Sequence, residues 1–248
     1  IAFEAGRYET ANAIALQSDG RIVLAGSVGI GAHADVAIAR LTADGDLDAT
    51  FGNWLPGRSV GGFDALLNDS ANAVAIGELR ADPAGTRRIV VAGTAQAFDG
   101  TTGAALAVFD DAGELDPGFS GDGRRTIGTG TGDGWRAVGV LIETTTVAGH
   151  PTPTQSRRIV LGIDASNARD GFRLARFAFD GNLDAGFGIA GIGHWQADLD
   201  RDGVPNEASL VDIARHGAGV VLLGTTRVHE PDDALDRDFV LVRATLGQ

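Results

Sequence analysis

Short apolar segments with a two-residue alternation recur along this chain, each bounded by Gly, Asp or Asn. The first set spans residues 11–16, 21–26 and 36–40. It returns at 71–76, 88–93 and 105–109, and again at 136–141, 158–162 and 172–176. Residues 209–213, 219–224 and 238–243 form a fourth set. Alternation over four to eight residues predicts half-buried strands, and the intervening Gly and Asp predict tight antiparallel connections.

A decapeptide punctuates the pattern. It reads Ala43-Asp44-Gly45-Asp46-Leu47-Asp48-Ala49-Thr50-Phe51-Gly52 and returns at 111–120 and 179–188. Asp48, Asp116 and Asp184 lie 68 and 68 residues apart, as do Phe51, Phe119 and Phe187. After each copy comes a short outer segment, at 57–60, 123–127 and 191–195. Each repeat is therefore four strands. A lone four-stranded sheet cannot bury both faces, so the sheets must stack, and radial stacking makes a β-propeller.

The fourth repeat stops after its third strand, while residues 1–8 match an outer strand, with Gly6-Arg7 aligned on Gly57-Arg58. The expectation is an all-β, single-domain, four-bladed β-propeller over residues 1–248. Its blades fall at 10–60, 71–127, 135–195 and 208–244 plus 1–8, and the N-terminal strand closes the ring. Two chains sharing an eight-bladed ring is the alternative.

The stretches Ala15-Leu16-Gln17-Ser18-Asp19-Gly20-Arg21-Ile22-Val23-Leu24-Ala25-Gly26 and 39–52 resemble the delta-60 repeat family of bacterial β-propeller-like proteins. The resemblance covers nearly the whole chain and is best in the first repeat. Insertions at 78–87 and 143–157, and the missing Leu-Asp-x-x-Phe of the fourth repeat, depart from it. It implies a secreted or surface location and no shared enzymatic activity.

Within the decapeptide, Asp44-Gly45 is a turn dipeptide whose Gly accepts positive φ. Asp48 can accept backbone N–H groups two or three residues on, and Leu47 and Phe51 can anchor the turn to the sheet. A ring of carboxylates would be the functional use of this Asp. A group needed identically in every repeat is better explained as a structural staple.

Composition narrows the function. With 33 acidic against 20 basic residues the net charge is −13, which argues against nucleic-acid binding. There is no Cys, so no disulfide or thiolate metal site is available. No apolar run approaches 18 residues, so no helical membrane span is expected. No Met occurs, even at position 1, so a processed chain that has lost a leader before Ile1 is expected.

Candidate chemistry lies where the repeats disagree. Asp198, Asp200 and Asp202 occupy positions one, three and five of a calcium-type loop, and Gly203 permits its sharp turn. The Val204 carbonyl and Asn206 or Glu207 would complete the shell for Ca2+. Position twelve is Ser209, so this is no EF-hand; the expected role is to rigidify a long connection.

Asp99, Asp164 and Asp232 are the carboxylates a hydrolase or lyase would use on the loop face. His33, His229 and Asp232 could share a site. Trp54, Trp135 and Trp195 could stack on carbohydrate, although packing between blades is the expectation for them. The Arg pairs at 87–88, 124–125 and 157–158 are expected to meet carboxylates. Asn68-Asp69-Ser70 fits a glycosylation sequon, residues 144–156 read as an extended loop, and the Gly-rich 128–134 reads as a flexible connection.

The functional expectation is an extracellular, periplasmic or cell-surface binding and assembly module without catalysis. Its partner would be another protein or a surface glycan, within a larger assembly. A lectin-like propeller and a carboxylate hydrolase or lyase are the alternatives.

Overall fold

The computed structural model describes residues 3, 6–30, 33–63, 68–77, 87–128, 134–147, 154–165, 172–195, 207–227 and 237–246. Among these residues there are only strands and turns. Meander 1 comprises β1 (Tyr8–Leu16), β2 (Ile22–Ile30), β3 (His33–Leu41) and β4 (Arg58–Val60). Meander 2 comprises β5 (Asn68–Gly77), β6 (Arg88–Gln96), β7 (Thr102–Phe109) and β8 (Arg124–Ile127). Meander 3 comprises β9 (Trp135–Val147), β10 (Thr154–Ala165), β11 (Phe172–Ala178) and β12 (Ile192–Trp195). Meander 4 has three strands, β13 (Glu207–His216), β14 (Gly219–Arg227) and β15 (Arg237–Thr245).

Neighbouring strands within each meander pair antiparallel. One parallel bridge, Ala34 to Asn68, joins the first two meanders into an eight-stranded sheet. The inner strands carry a bulge at a matching place, at Ala11/Ala13, Ala71/Ala73 and Leu210/Asp212, and the β9–β10 pair shifts register opposite Gly162/Ile163.

The pleat sends alternate side chains to opposite faces, and the meanders stack face to face in chain order. Val23, Ala25, Val36 and Ile38 of meander 1 pack against Ile89, Val91, Ala105 and Ala107 of meander 2. The other face of meander 2, with Val90, Leu106 and Val108, packs against Ile159, Leu161 and Ala175 of meander 3. Phe172 and Leu174 continue the pattern against Val220, Leu222 and Val240 of meander 4. The middle sheets are buried on both faces, which explains the unbroken apolar runs of β6 and β7.

Two expectations change. Tyr8 lies opposite Gly29 in β1, the inner strand of meander 1, and not beside β15 as an outer strand of meander 4. No closed ring forms among the described residues. Within the expected extended loop at 144–156, the described residues 144–147 and 154–156 are paired strand: β9 and β10 run long, and Thr154 pairs with Val147. Thr144, Thr145 and Thr146 suit paired strands, and the backbone bonds of a two-stranded ladder favour pairing over a loose loop.

Candidate functional site

The repeated Asp is the best-defined polar element. Asp48 Oδ1 accepts from the Thr50 N–H at 3.0 Å and its hydroxyl at 2.7 Å. Asp116 and Asp184 accept from the N–H of Gly118 at 3.0 Å and of Gly186 at 3.1 Å. The local Asx-type turn expected of this residue is thus present in all three copies. The second carboxylate oxygen takes an arginine from the start of the second strand. Arg21, Arg88 and Arg158 stand 3.1, 2.6 and 2.8 Å from Asp48, Asp116 and Asp184.

Meanders 1 and 3 add a second arginine. The buried Arg40 donates to Asp48 at 2.8 Å and stacks on Phe51, 4.5 Å from the ring centre. It then reaches the next meander, donating to the Asp111 carbonyl at 2.7 Å and its carboxylate at 2.9 Å. Arg176 does the same with Asp184 at 3.1 Å, Phe187 at 4.7 Å and the Leu246 carbonyl at 2.5 Å. Burial pushes Asp48 up, but the Thr50 hydroxyl and N–H and Arg40 outweigh it and hold its pKa below the ordinary carboxylate value. Asp184 is held low likewise, by Arg158, the Gly186 N–H and Arg176 against burial. These carboxylates are anchored within their own turns as staples.

The turn glycine answers a steric need. Gly113 and Gly181 both sit at φ +88, and a Cβ at Gly113 would stand 2.9 Å from the Phe51 ring of the preceding meander. One at Gly181 would stand 2.7 Å from Ser120 N. Backbone bonds join the same places, Gly52 N–H to Ala112 O at 2.9 Å and Ser120 N–H to Asp180 O at 2.8 Å. Bulge residues supply a further link that repeat counting missed. Asn12 and Asn72 donate to the carbonyls of Ala71 and Ala137, each at 2.8 Å, in the next meander. Their identical place between two alanines, in Ala11-Asn12-Ala13 and Ala71-Asn72-Ala73, was the available signal.

The loop-face candidates separate. The calcium-type residues Asp198, Asp200, Asp202, Val204 and Asn206 lie outside the described residues, as do His229 and Asp232. Glu207 begins β13. Among the described residues no group of three His, Asp or Glu is placed to hold a metal. The buried Asp164 accepts from Arg136 at 2.8 Å and from the Leu210 N–H at 3.0 Å, tying meander 3 to meander 4. Asp99 closes its own turn, accepting from the hydroxyl and N–H of Thr101, which hold its pKa below the ordinary value.

His33 is exposed on the β2–β3 hairpin. Trp135 is buried in the core between meanders 2 and 3 beneath Arg173, at 5.0 Å, whereas Trp54 is half exposed with Arg7 at 5.7 Å. Asn68 lies within β5 and donates to Gln96 at 3.0 Å. Arg87 meets Asp19, while Arg88 and Arg158 meet the repeated Asp, as expected of these three members of the arginine pairs.

What remains is apolar and lies at the two ends of the stack. Pairing registers make Phe239 and Leu241 of meander 4 equivalent to Val36 and Ile38 of meander 1. Val36 and Ile38 are 0% exposed, while Phe239 is 85% and Leu241 71% exposed. At the other end, Ile14 and Leu16 are 66% and 71% exposed. The same face of meander 1 carries a cavity of about 160 Å³ lined by Phe3, Leu24, Ala37 and Ala39 among others.

Comparison with known proteins agrees with this architecture. Residues 17–51 match a family described as a domain of unknown function (DUF5122) β-propeller. Those residues run from the β1–β2 turn to Phe51 and so contain Arg21, Arg40, Asp48 and Phe51, the whole first staple. No curated protein matches the chain.

Proposed function

We propose that this protein is a propeller-type assembly module, secreted or held at a cell surface, whose stacked meanders are blades of a ring. The reading rests on one observation: Phe239 and Leu241 of meander 4 are apolar and exposed at positions that the junction of meander 1 buries completely, and Ile14 and Leu16 of meander 1 are exposed where Val74 and Ile76 of meander 2 are partly buried. Contiguous exposed apolar faces of this kind mark interaction sites. The repeated charges, by contrast, are engaged within the fold. A protein surface suits such a face better than a glycan, because Phe239 and Leu241 offer no hydrogen-bonding groups. The resemblance to delta-60 repeats and the propeller match over residues 17–51 agree with the blade assignment.

Hydroxyl-radical footprinting of the dilute monomer tests the reading. Phe239 and Leu241 should be oxidised at the rates of solvent-exposed residues; protection of both in a proven monomer would reject it.

Calcium has a stabilising role in this proposal. Asp198, Asp200 and Asp202, with the Val204 carbonyl and Asn206 or Glu207, bind Ca2+ and stiffen the connection into β13. Calcium at about a hundredfold above its Kd should then raise the melting temperature by roughly 5–10 °C. The rise should vanish with chelator or in Asp200→Asn. An unchanged melting temperature in calcium counts against the site.

A further inference from the structure

We propose that a second copy of this chain covers both open faces, head to tail, with meander 1 of each copy packed on meander 4 of the other. The inference rests on the assembly reading above and names its partner. Each internal junction joins the later-facing side of one meander to the earlier-facing side of the next. The two open faces are the unused halves of that junction.

The halves match position by position. Phe239, Leu241 and Leu223 of meander 4 stand where Val36, Ile38 and Ala25 stand in meander 1. Opposite them, Ile14, Leu16 and Leu24 of meander 1 stand where Val74, Ile76 and Val91 stand in meander 2. Ala37 and Ala39 stand where Ala105 and Ala107 receive Val36 and Ile38 in the internal core. Large side chains thus project from β15, while the receiving places on β3, Ala37 and Ala39, are small, are buried at 4% and 3% exposure, and line the cavity together with Phe3. Protruding groups on one face and space on the other are what close packing requires.

Polar groups repeat the pattern. Arg40 and Arg176 each cross a junction to a carbonyl three residues beyond the equivalent place in the next meander, Asp111 O and Leu246 O. The equivalent arginine of meander 4 is Arg243, which is exposed, and the corresponding carbonyl in meander 1 is that of Ala43. The turn glycines agree. Gly113 and Gly181 are closely packed by the preceding meander, whereas Gly45 has no atom within 4 Å of a Cβ position. Both the donor side and the acceptor side of one more junction are present on this chain, on opposite ends.

A head-to-tail contact either closes or runs on into a filament. A two-fold ring with two such junctions leaves no terminal face open, and we assign that closed dimer. Each copy carries a net charge of −13, so the copies repel through their charge while their faces attract. Association should therefore tighten as salt screens the repulsion.

Sedimentation velocity on the full chain at micromolar concentration tests the dimer. The expected species is two chains of 25.4 kDa, about 51 kDa, favoured by added sodium chloride. Leu241→Asp and Ile14→Asp change exposed positions at opposite ends, so the circular dichroism of each should match the parent. Each should weaken the dimer about thirtyfold or more, as loss of a central apolar anchor does.

Because the chain has no cysteine, Arg243→Cys mixed with Ala43→Cys and treated with a short bismaleimide should cross-link, and neither variant should do so alone. Cross-linking of Arg243→Cys by itself means like faces meet and overturns the proposal, as do filaments or a dimer indifferent to both Asp substitutions. A monomer whose Phe239 is reactive to hydroxyl radicals overturns only the second copy and leaves the assembly reading standing. A monomer whose Phe239 is protected removes both.

Discussion

Meanders 1 and 2 carry the same decapeptide and hold it in different ways. In meander 1 the carboxylate of Asp48 meets two arginines, Arg21 and Arg40, and the buried Arg40 bridges on to Asp111. In meander 2 the place of Arg40 is taken by Val108, an apolar residue of the core facing meander 3, while Arg88 pairs with Asp116. Meander 3 returns to the two-arginine form. The turn itself, Asp to the N–H two residues on, is identical in all three. The local turn is therefore specified by the decapeptide, whereas the link to the next meander is a separate choice made by a residue eight positions earlier in the chain.

That comparison can be broken most forcefully at Arg40. Arg40→Ala leaves the buried Asp48 carboxylate short of a partner and the Asp111 carbonyl without its donor, and should cost about 3–5 kcal/mol in urea denaturation. The matching Val108→Ala removes only apolar contacts and should cost about 1–3 kcal/mol. If the two substitutions cost the same, the bridging arginine has no special role.

Asn72→Ala probes the bulge link between meanders 2 and 3 and should cost about 1–2 kcal/mol, because the buried Ala137 carbonyl loses its side-chain donor. Arg21→Ala should cost less than about 1 kcal/mol, since Arg21 is more than a third exposed and Arg40 still holds Asp48. A larger loss there would mean that the outer arginine, not the buried one, governs the staple.

Acid sharpens the same contrast. Asp48 and Asp184 have folded pKa values below the ordinary carboxylate value. Their contribution is fully present above the unfolded-chain pKa, near 3.8, and is lost as pH falls through the lower folded values. Stability measured by urea titration should fall through that acid window. Asp48→Asn should flatten the slope there by removing one of the depressed groups. An unchanged slope would show that its ionisation is not linked to folding.

Reading the chain in order reveals what is local and what is not. The strands, the bulge-bearing Ala-Asn-Ala segments and the Asx turn of Asp48 depend on residues within a few positions of one another, and alternation exposes them directly. Arg40 was visible only as the end of a strand, because the carbonyl it serves is 71 residues away. Asn12 and Asn72 look like ordinary strand residues in the sequence for the same reason, since the carbonyls they serve lie 59 and 65 residues away.

The N-terminal segment shows how a local match misleads. Gly6 at φ +85 and Gly57 at φ +80 share a backbone conformation, yet Tyr8 pairs with Gly29 in an inner strand. Matching dihedral angles do not choose a partner strand. Likewise, residues 144–147 and 154–156 extend a hairpin because their ladder bonds are made by each other, a fact that polarity and proline content obscure.

By itself, then, the sequence determined an all-β chain of repeated four-stranded units and the staple that ends each third strand, because period-two alternation and turn chemistry act over short distances. Only the tertiary structure decided which faces are buried, which arginines cross from one meander to the next, and that Ile14 and Leu16 of the first meander and Phe239 and Leu241 of the fourth stay exposed. The physical reason is that burial belongs to pairs of sheets. Val36 and Phe239 occupy the same place in their repeats, and the presence or absence of a neighbouring sheet sets one at 0% and the other at 85% exposure.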